Sequence, residues 1–194
     1  MGWRKKHKDR ERKVIPRRSL RAVQSRRMTL VAATTDLVTA DLEGRASLAT
    51  LLEAEVAENW PPELFDREPM EYALRQLADP AEQGWSFWYL ISHAVEPPAV
   101  LGICGFKGRP DGCGSVEIGY SVLPQYRNQG FATEAVERLI SWAFSHQSVL
   151  EVSAETLPHL QQSIKVMKKN GFYYTGKGSE QGVVRYAVQR PDRR

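Results

Sequence analysis

The residues of this chain best suited to chemistry on a ligand are Arg127-Asn128-Gln129-Gly130-Phe131-Ala132, which fit the spacing (Gln/Arg)-x-x-Gly-x-(Gly/Ala). They lie between an apolar strand-like run and a strongly patterned helix. Gly130 lets the backbone turn tightly and approach a ligand, and the N–H groups of the first helical turn, through Thr133, have no partner within the helix. They are therefore free to hold an anion such as a pyrophosphate, with Arg127 adding a charge-assisted bond. No Gly-Lys-Ser/Thr follows, which excludes a Walker loop, and a dinucleotide fingerprint would need three glycines. On these six residues alone, an ordinary strand-to-helix turn remains an equal reading.

The elements on either side decide how such a turn is held. Met28 to Ala33 reads as a first strand, and Thr34-Thr35-Asp36 supplies N-cap chemistry for a helical segment. Leu48, Leu51, Leu52 and Val56 predict an amphipathic helix over 45–58, ended by Asn59-Trp60-Pro61-Pro62. Glu63 to Leu77 resumes a helical pattern. Trp85–Ile91, Ala99–Phe106 and Ser115–Leu123 read as three strands with short connections, an antiparallel meander. The helix predicted over 130–145 places Ala132, Ala135, Val136, Leu139, Ile140, Ala143 and Phe144 on one face. Val149–Glu155 follows as a strand that should run parallel to the one ending at Leu123. A short helix over 163–170 and a hairpin of 172–175 with 183–188 close the chain. The class is α/β (α+β), with a mixed, mostly antiparallel sheet of six to seven strands and helices on both faces.

At 194 residues and 42% hydrophobic, the chain suits one core and one domain. No apolar run approaches the roughly 20 residues of a membrane span, and the N-terminus lacks the apolar centre of a secretion signal, so a cytoplasmic protein without membrane contact is expected. Cys104 and Cys113 are too few for a disulfide framework. His7, His93, His146 and His159 lie far apart without ligand spacing, so no metal is expected. The net charge of +4 hides a split, since residues 1–27 hold twelve Lys/Arg against two acids while the remainder is acidic. That block reads as a solvated, disordered leader or as an arm making weak RNA or ribosome contact; alternatively, translation begins at Met28. The expected partition is 1–27 leader, 28–190 domain and 191–194 tail, as a monomer or homodimer.

The element order β-α-α-β-β-β-α-β-α-β-β, the central Y-S-V-L-P-Q-Y-R-N-Q-G-F-A-T-E-A-V from Tyr120 to Val136, and the later S-I-K-V-M-K-K-N-G-F from Ser163 to Phe172 together resemble the GNAT acyl-CoA-dependent N-acetyltransferases. Within them the chain is most similar to the branch of ribosomal-protein alanine N-acetyltransferases, the Rim type. The resemblance spans roughly Met28 to Val188. It implies that two central parallel strands splay apart and admit the pantetheine arm of acetyl-CoA. Tyr120, Ser121 and Val122 would pair with that arm, and Arg127, Asn128, Gln129, Gly130, Phe131, Ala132 and Thr133 would hold the pyrophosphate. A backbone amide near Val122 would polarise the thioester carbonyl.

The implied reaction is direct attack of a primary amine, from a peptide or a small molecule, on acetyl-CoA in a ternary complex. Glu117 and Glu155 are the candidate bases, each with a reading as an ordinary strand residue; Glu117, flanked by Val116 and Ile118, is the more easily desolvated. The alternative is a non-catalytic acyl-CoA-binding or RNA-associated module on the same fold. The branch usually has Asn-x-x-Ser before its short helix, where this chain has Leu160 and Ser163, so only Ser163 carries over. Met167 stands where some relatives place a tyrosine acid. Neither cysteine has an activating His or Asp, which favours core packing over an acetyl-enzyme. Trp60 is the expected acceptor-pocket or lid residue, whereas Trp85 and Trp88 read as core.

Overall fold

The sheet begins inside the basic segment. A computed structural model describes residues 20–191, and in it β1, Ala22–Gln24, pairs antiparallel with β2, Met28–Ala32, with Val23 opposite Leu30. The sheet thus extends six residues ahead of the domain start expected at Met28. The three residues of β1, Ala-Val-Gln, are themselves uncharged, and Arg21, Arg26 and Arg27 flank them, charge beside an edge strand being one way such edges are kept from aggregating. Residues 1–19, most of the expected leader, and 192–194 of the expected tail lie outside the described residues.

Thr34 caps α1, Thr35–Glu43, its hydroxyl accepting from the Leu37 N–H at 3.2 Å. Gly44 separates it from α2, Arg45–Leu52. The single helix expected over 45–58 stops at Leu52 because the chain turns to pair with the sheet. The Glu55 N–H donates to the Pro98 carbonyl and the Glu55 carbonyl accepts from Val100, both at 2.8 Å. Helix α3 starts at Arg67, four residues later than its pattern, and runs to Gln76; prolines 61 and 62 and a left-handed Leu64 keep the intervening chain out of the helix.

β3 (Phe87–Ser92), β4 (Ala99–Phe106) and β5 (Ser115–Val122) form the expected meander. The first two are buried along their whole length, as central strands covered on both faces must be. Gly102 is what lets β4 lie against β5, since a Cβ there would stand 2.2 Å from the Ser121 carbonyl oxygen. Helix α4 (Phe131–Phe144) crosses to β6 (Glu151–Thr156), which runs parallel to β5. Then come α5 (Gln161–Lys169), β7 (Tyr173–Lys177) and β8 (Val184–Gln189). The eight strands lie in the order β1-β2-β3-β4-β5-β6-β8-β7, one more than the largest number expected, the addition being β1.

The core is split by the sheet. One side joins Val116, Ile118 and Val122 of β5 to Phe131, Ala135, Val136, Leu139 and Ala143 of α4 and to Ile164 and Met167 of α5. The other joins Leu37, Val38, Leu48, Leu52 and Met70 of the first three helices to Tyr89, Ile103 and Leu123. Each fully buried Leu or Val contributes about 1.5–3 kcal/mol relative to exposure. Both ends of the strand-to-helix turn are therefore fastened to packed elements.

Candidate functional site

The site opens where β5 and β6 stop pairing. Their paired residues run only from Ser115 opposite Glu151 to Glu117 opposite Ser153. On the other edge of β5, Lys107 donates to the Glu117 carbonyl at 3.0 Å and Leu123 donates to Leu101 at 2.9 Å, so odd-numbered residues pair with β4. The alternation of an antiparallel ladder then turns the peptide groups of Ile118, Tyr120 and Val122 toward β6, beyond the end of its pairing with β5. The Val122 carbonyl accepts from Arg127 Nε at 2.8 Å, which leaves its N–H as the group directed into the opening.

The turn follows at once. Pro124–Tyr126 form one 3-10 turn, Asn128 is left-handed with φ 61°, and Gly130 is left-handed with φ 84° at the N-cap of α4. Asn tolerates this region better than most residues. Among the described residues no side chain caps α4, so the amides of Phe131, Ala132 and Thr133 emerge at a helix N-terminus carrying the positive end of the dipole. These donors on a glycine pivot suit a pyrophosphate. Arg127 is less free than expected, since its guanidinium also pairs with Glu63 at 3.0 Å. Gln129 donates to the Gln125 carbonyl at 3.1 Å, and Asn59 and Gln125 exchange amide hydrogen bonds at 3.0 and 3.1 Å. The α2–α3 connection is thus latched to the turn.

Val116 and Ile118 face α4, so alternation sends Glu117 and Ser121 to the opposite face, and the same rule sends Glu155 there from β6. The two candidate bases share a face but not an environment. Glu117 is ion-paired with Lys107, its side chain one-quarter exposed. Glu155 is tied to the β7–β8 loop, accepting from the Ser179 N–H at 2.9 and 3.0 Å and from its hydroxyl at 2.6 Å. Burial pushes the Glu155 carboxyl up, but the Ser179 donors outweigh it and hold the group below the usual carboxylate range. A depressed folded value contributes stability that is present above the unfolded value of about 4.3 and is lost as pH falls through the folded one. Thermal melts from neutral to acid pH should therefore show Glu155→Gln losing less stability on acidification than the native chain; parallel acid limbs would refute this.

Tyr120 is joined to α5, its hydroxyl donating to the Ser163 carbonyl at 3.0 Å, and burial raises its pKa. Ser163 therefore lies in the first turn of α5 across from β5. Leu160 occupies the N-cap of α5 without a side-chain bond, and Met167 is buried in the core, so neither offers a proton donor. Cys104 is buried, which pushes its thiol up, whereas Cys113 is exposed. Trp60, expected at an acceptor pocket, is only 9% exposed; its indole donates to Asp41 at 2.8 Å, and Tyr89 donates to the other carboxylate oxygen at 3.0 Å. Burial pushes the Asp41 carboxyl up, against these two bonds. Trp60 thus supports the α2–α3 segment from inside. Trp85 and Trp88 are core, as their pattern implied.

Several residues at the site escaped the sequence reading. Asn170 donates to the Thr133 carbonyl at 3.2 Å and to Val166 at 2.9 Å, pinning the end of α5 to the head of α4. Its only sequence signal was Asn-Gly at a helix end, which reads as a C-cap. Arg27 and Glu134 meet at the turn across 107 residues, and the basic run concealed Arg27 among its neighbours.

Residues 28–173 match the acetyltransferase (GNAT) domain family. The chain is similar to the uncharacterized N-acetyltransferase YjdG of Bacillus subtilis (strain 168), 31% identical over 98 residues covering 50% of this chain and 57% of that protein. It is also similar to the uncharacterized N-acetyltransferase p20 of Bacillus licheniformis, 33% identical over 81 residues covering 42% and 46%. The chain spans about half the length of the curated relatives it matches. Among solved structures it resembles RimL, a ribosomal L7/L12 alpha-N-protein acetyltransferase in complex with coenzyme A, with TM-score 0.62, 17% identity and coverage of 87% and 98%. The ribosomal-protein-S5-alanine acetyltransferase from Vibrio fischeri gives TM-score 0.62, 16% identity and coverage of 89% and 98%. At such identities the likeness is one of fold.

Proposed function

Since the chain belongs to the GNAT acetyltransferase family, we propose that it transfers the acetyl group of acetyl-CoA to a primary amine by direct attack in a ternary complex. The observation that carries this reading is the end of β5–β6 pairing at Glu117 and Ser153, which leaves Ile118 to Val122 unpaired on that edge ahead of the glycine-led N-terminus of α4. A strand-like arm entering the opening would find the peptide groups of Tyr120 and Val122, and a pyrophosphate at its far end would meet the amides of Phe131 to Thr133.

When bound, acetyl-CoA supplies an acetyl thioester. The Val122 N–H is directed to donate to its carbonyl oxygen, where negative charge develops as the amine adds. Glu117 takes the proton that the attacking amine must lose. A C–N bond would form as the C–S bond breaks, and, with Met167 unable to donate, the thiolate, whose thiol ionises at about pH 8.5, would leave as the anion or take its proton from water. The Rim-type neighbours, described as acting on ribosomal proteins, make peptide N-termini the first acceptors to try.

A thiol-release screen of acetyl-CoA against N-terminal peptides, amino acids, polyamines and amine antibiotics tests this proposal. Steady release that depends on one class of amine is expected. Coenzyme A binding with no amine-dependent release across the panel would overturn it in favour of a non-catalytic acyl-CoA-binding module.

A further inference from the structure

We infer that Arg27, outside the residues that match the family, is a positioning residue of the turn that receives the cofactor pyrophosphate; this rests on the site reading above. Arg27 ends the β1–β2 connection and is itself fixed to the chain just past β3, its carbonyl accepting from the His93 N–H at 2.9 Å. From there it contacts four positions of the turn. Its Nη1 donates to the Gln129 carbonyl at 3.0 Å. Its Nη2 lies 3.4 Å from where a Cβ on Gly130 would stand, and its guanidinium covers the Phe131 ring at 4.4 Å. Its backbone N–H and its Nε each donate to a different oxygen of Glu134, both at 2.8 Å.

The last contact matters most for an anion. Glu134 sits in the first turn of α4, where a carboxylate is favoured by the helix dipole and would occupy or repel the field meant for a phosphate. Arg27 consumes both of its oxygens and cancels its charge. The pair is poorly solvated, with side-chain exposures of 27% for Arg27 and 13% for Glu134, so screening removes little of the interaction. Burial pushes the Glu134 carboxyl up, but the bonds from Arg27 and Ser25 outweigh this and keep it an anion. Without the Arg27 side chain, the amides of Phe131 to Thr133 would share the helix head with a carboxylate that has lost its ion-pair partner and keeps bonds from the Ser25 hydroxyl and the backbone N–H at position 27, with Arg26, Arg138 and Lys169 around the same cavity.

The test is coenzyme A binding by calorimetry and acetyl-CoA steady-state kinetics for the full chain, Arg27→Ala, Arg27→Lys, Glu134→Gln and the Arg27→Ala/Glu134→Gln pair. Arg27→Ala should weaken binding and raise KM about ten- to a hundredfold, the scale of a lost charge-assisted bond, with kcat at saturation far less affected. Arg27→Lys keeps the charge without the fork and should fall between. Removing the Glu134 charge should recover most of the affinity lost in Arg27→Ala, which a purely packing role would not allow. Glu134→Gln alone needs no refolded turn and should bind at least as tightly as the native chain. Native affinity in Arg27→Ala, no recovery in the pair, or weaker binding by Glu134→Gln each overturns the inference. A native chain that fails to bind coenzyme A overturns the site reading instead.

Discussion

Replacing Gly130 with valine is expected to abolish coenzyme A binding while leaving the sheet folded. At φ 84° an L-residue pays about 1–2 kcal/mol, and a β-branched one more, because its Cβ crowds the following carbonyl. The added Cβ would also meet Arg27 Nη2 at 3.4 Å, so relaxing the turn toward ordinary dihedrals disturbs the clasp that holds it. Either way the amides of Phe131, Ala132 and Thr133 are re-aimed. With each charge-assisted bond worth about 1.5–3 kcal/mol, losing two or more weakens binding by over a hundredfold. The core on both faces is untouched, so the melting temperature should fall by only about 2–4 °C per kcal/mol of local strain for a chain of this size. Gly130→Ala, without the branch, should be intermediate. Calorimetric titration with coenzyme A beside thermal melts checks both halves, and native affinity in the valine variant would remove Gly130 from the site.

Gly130 could be found in the sequence because its signal is local: a glycine, a helical stripe after it and an apolar strand before it all lie within thirty residues. The same is true of α4, whose observed bounds differ from the pattern by one residue at each end. What escaped is carried by contacts between distant segments. The helix expected over 45–58 loses its last turn to backbone bonds with residues 98 and 100, and no side-chain pattern within 53–58 encodes that competition. Arg27 looked like one more charge in a solvated run, yet its worth comes from Glu134 and Gln129. Trp60 reads as a pocket or lid residue because the segment between the first two helices covers the acceptor site in the family that the sequence resembles; the buried Asp41 that accepts its indole N–H lies 19 residues away, on α1. Local rules thus pointed to the glycine-led turn, and tertiary contacts decided which side chains hold it in shape.

The two acids, of which the sequence favours Glu117 only through its apolar neighbours Val116 and Ile118, are separated more sharply by their partners, and this leads to the expectation for Glu117→Gln. A general base must have an oxygen able to take the amine proton and a pKa high enough to keep it. Glu155 fails on both grounds, since three hydrogen bonds from Ser179 occupy its oxygens and hold its pKa down. Among the described residues Glu117 has a single ion-pair partner, Lys107, whose side chain is two-thirds exposed and can swing away at modest cost. It also stands at the last paired position of β5 and β6, beside the peptide groups turned into the opening. Glu117→Gln should therefore lower kcat by about 10²–10⁴, the usual contribution of a positioned base, with the KM for acetyl-CoA nearly unchanged. Stability should change by under about 1 kcal/mol, because an ion pair whose lysine is two-thirds exposed gains little over solvation. Raising pH should partly restore the variant, as more of the amine then arrives already deprotonated and the missing base matters less. Full turnover in Glu117→Gln, or a comparable loss in Glu155→Gln alone, would move the proton path away from Glu117. A solvent-borne path, with the amine neutral before it binds, would leave both variants active and tie the rate only to the ionisation of the acceptor.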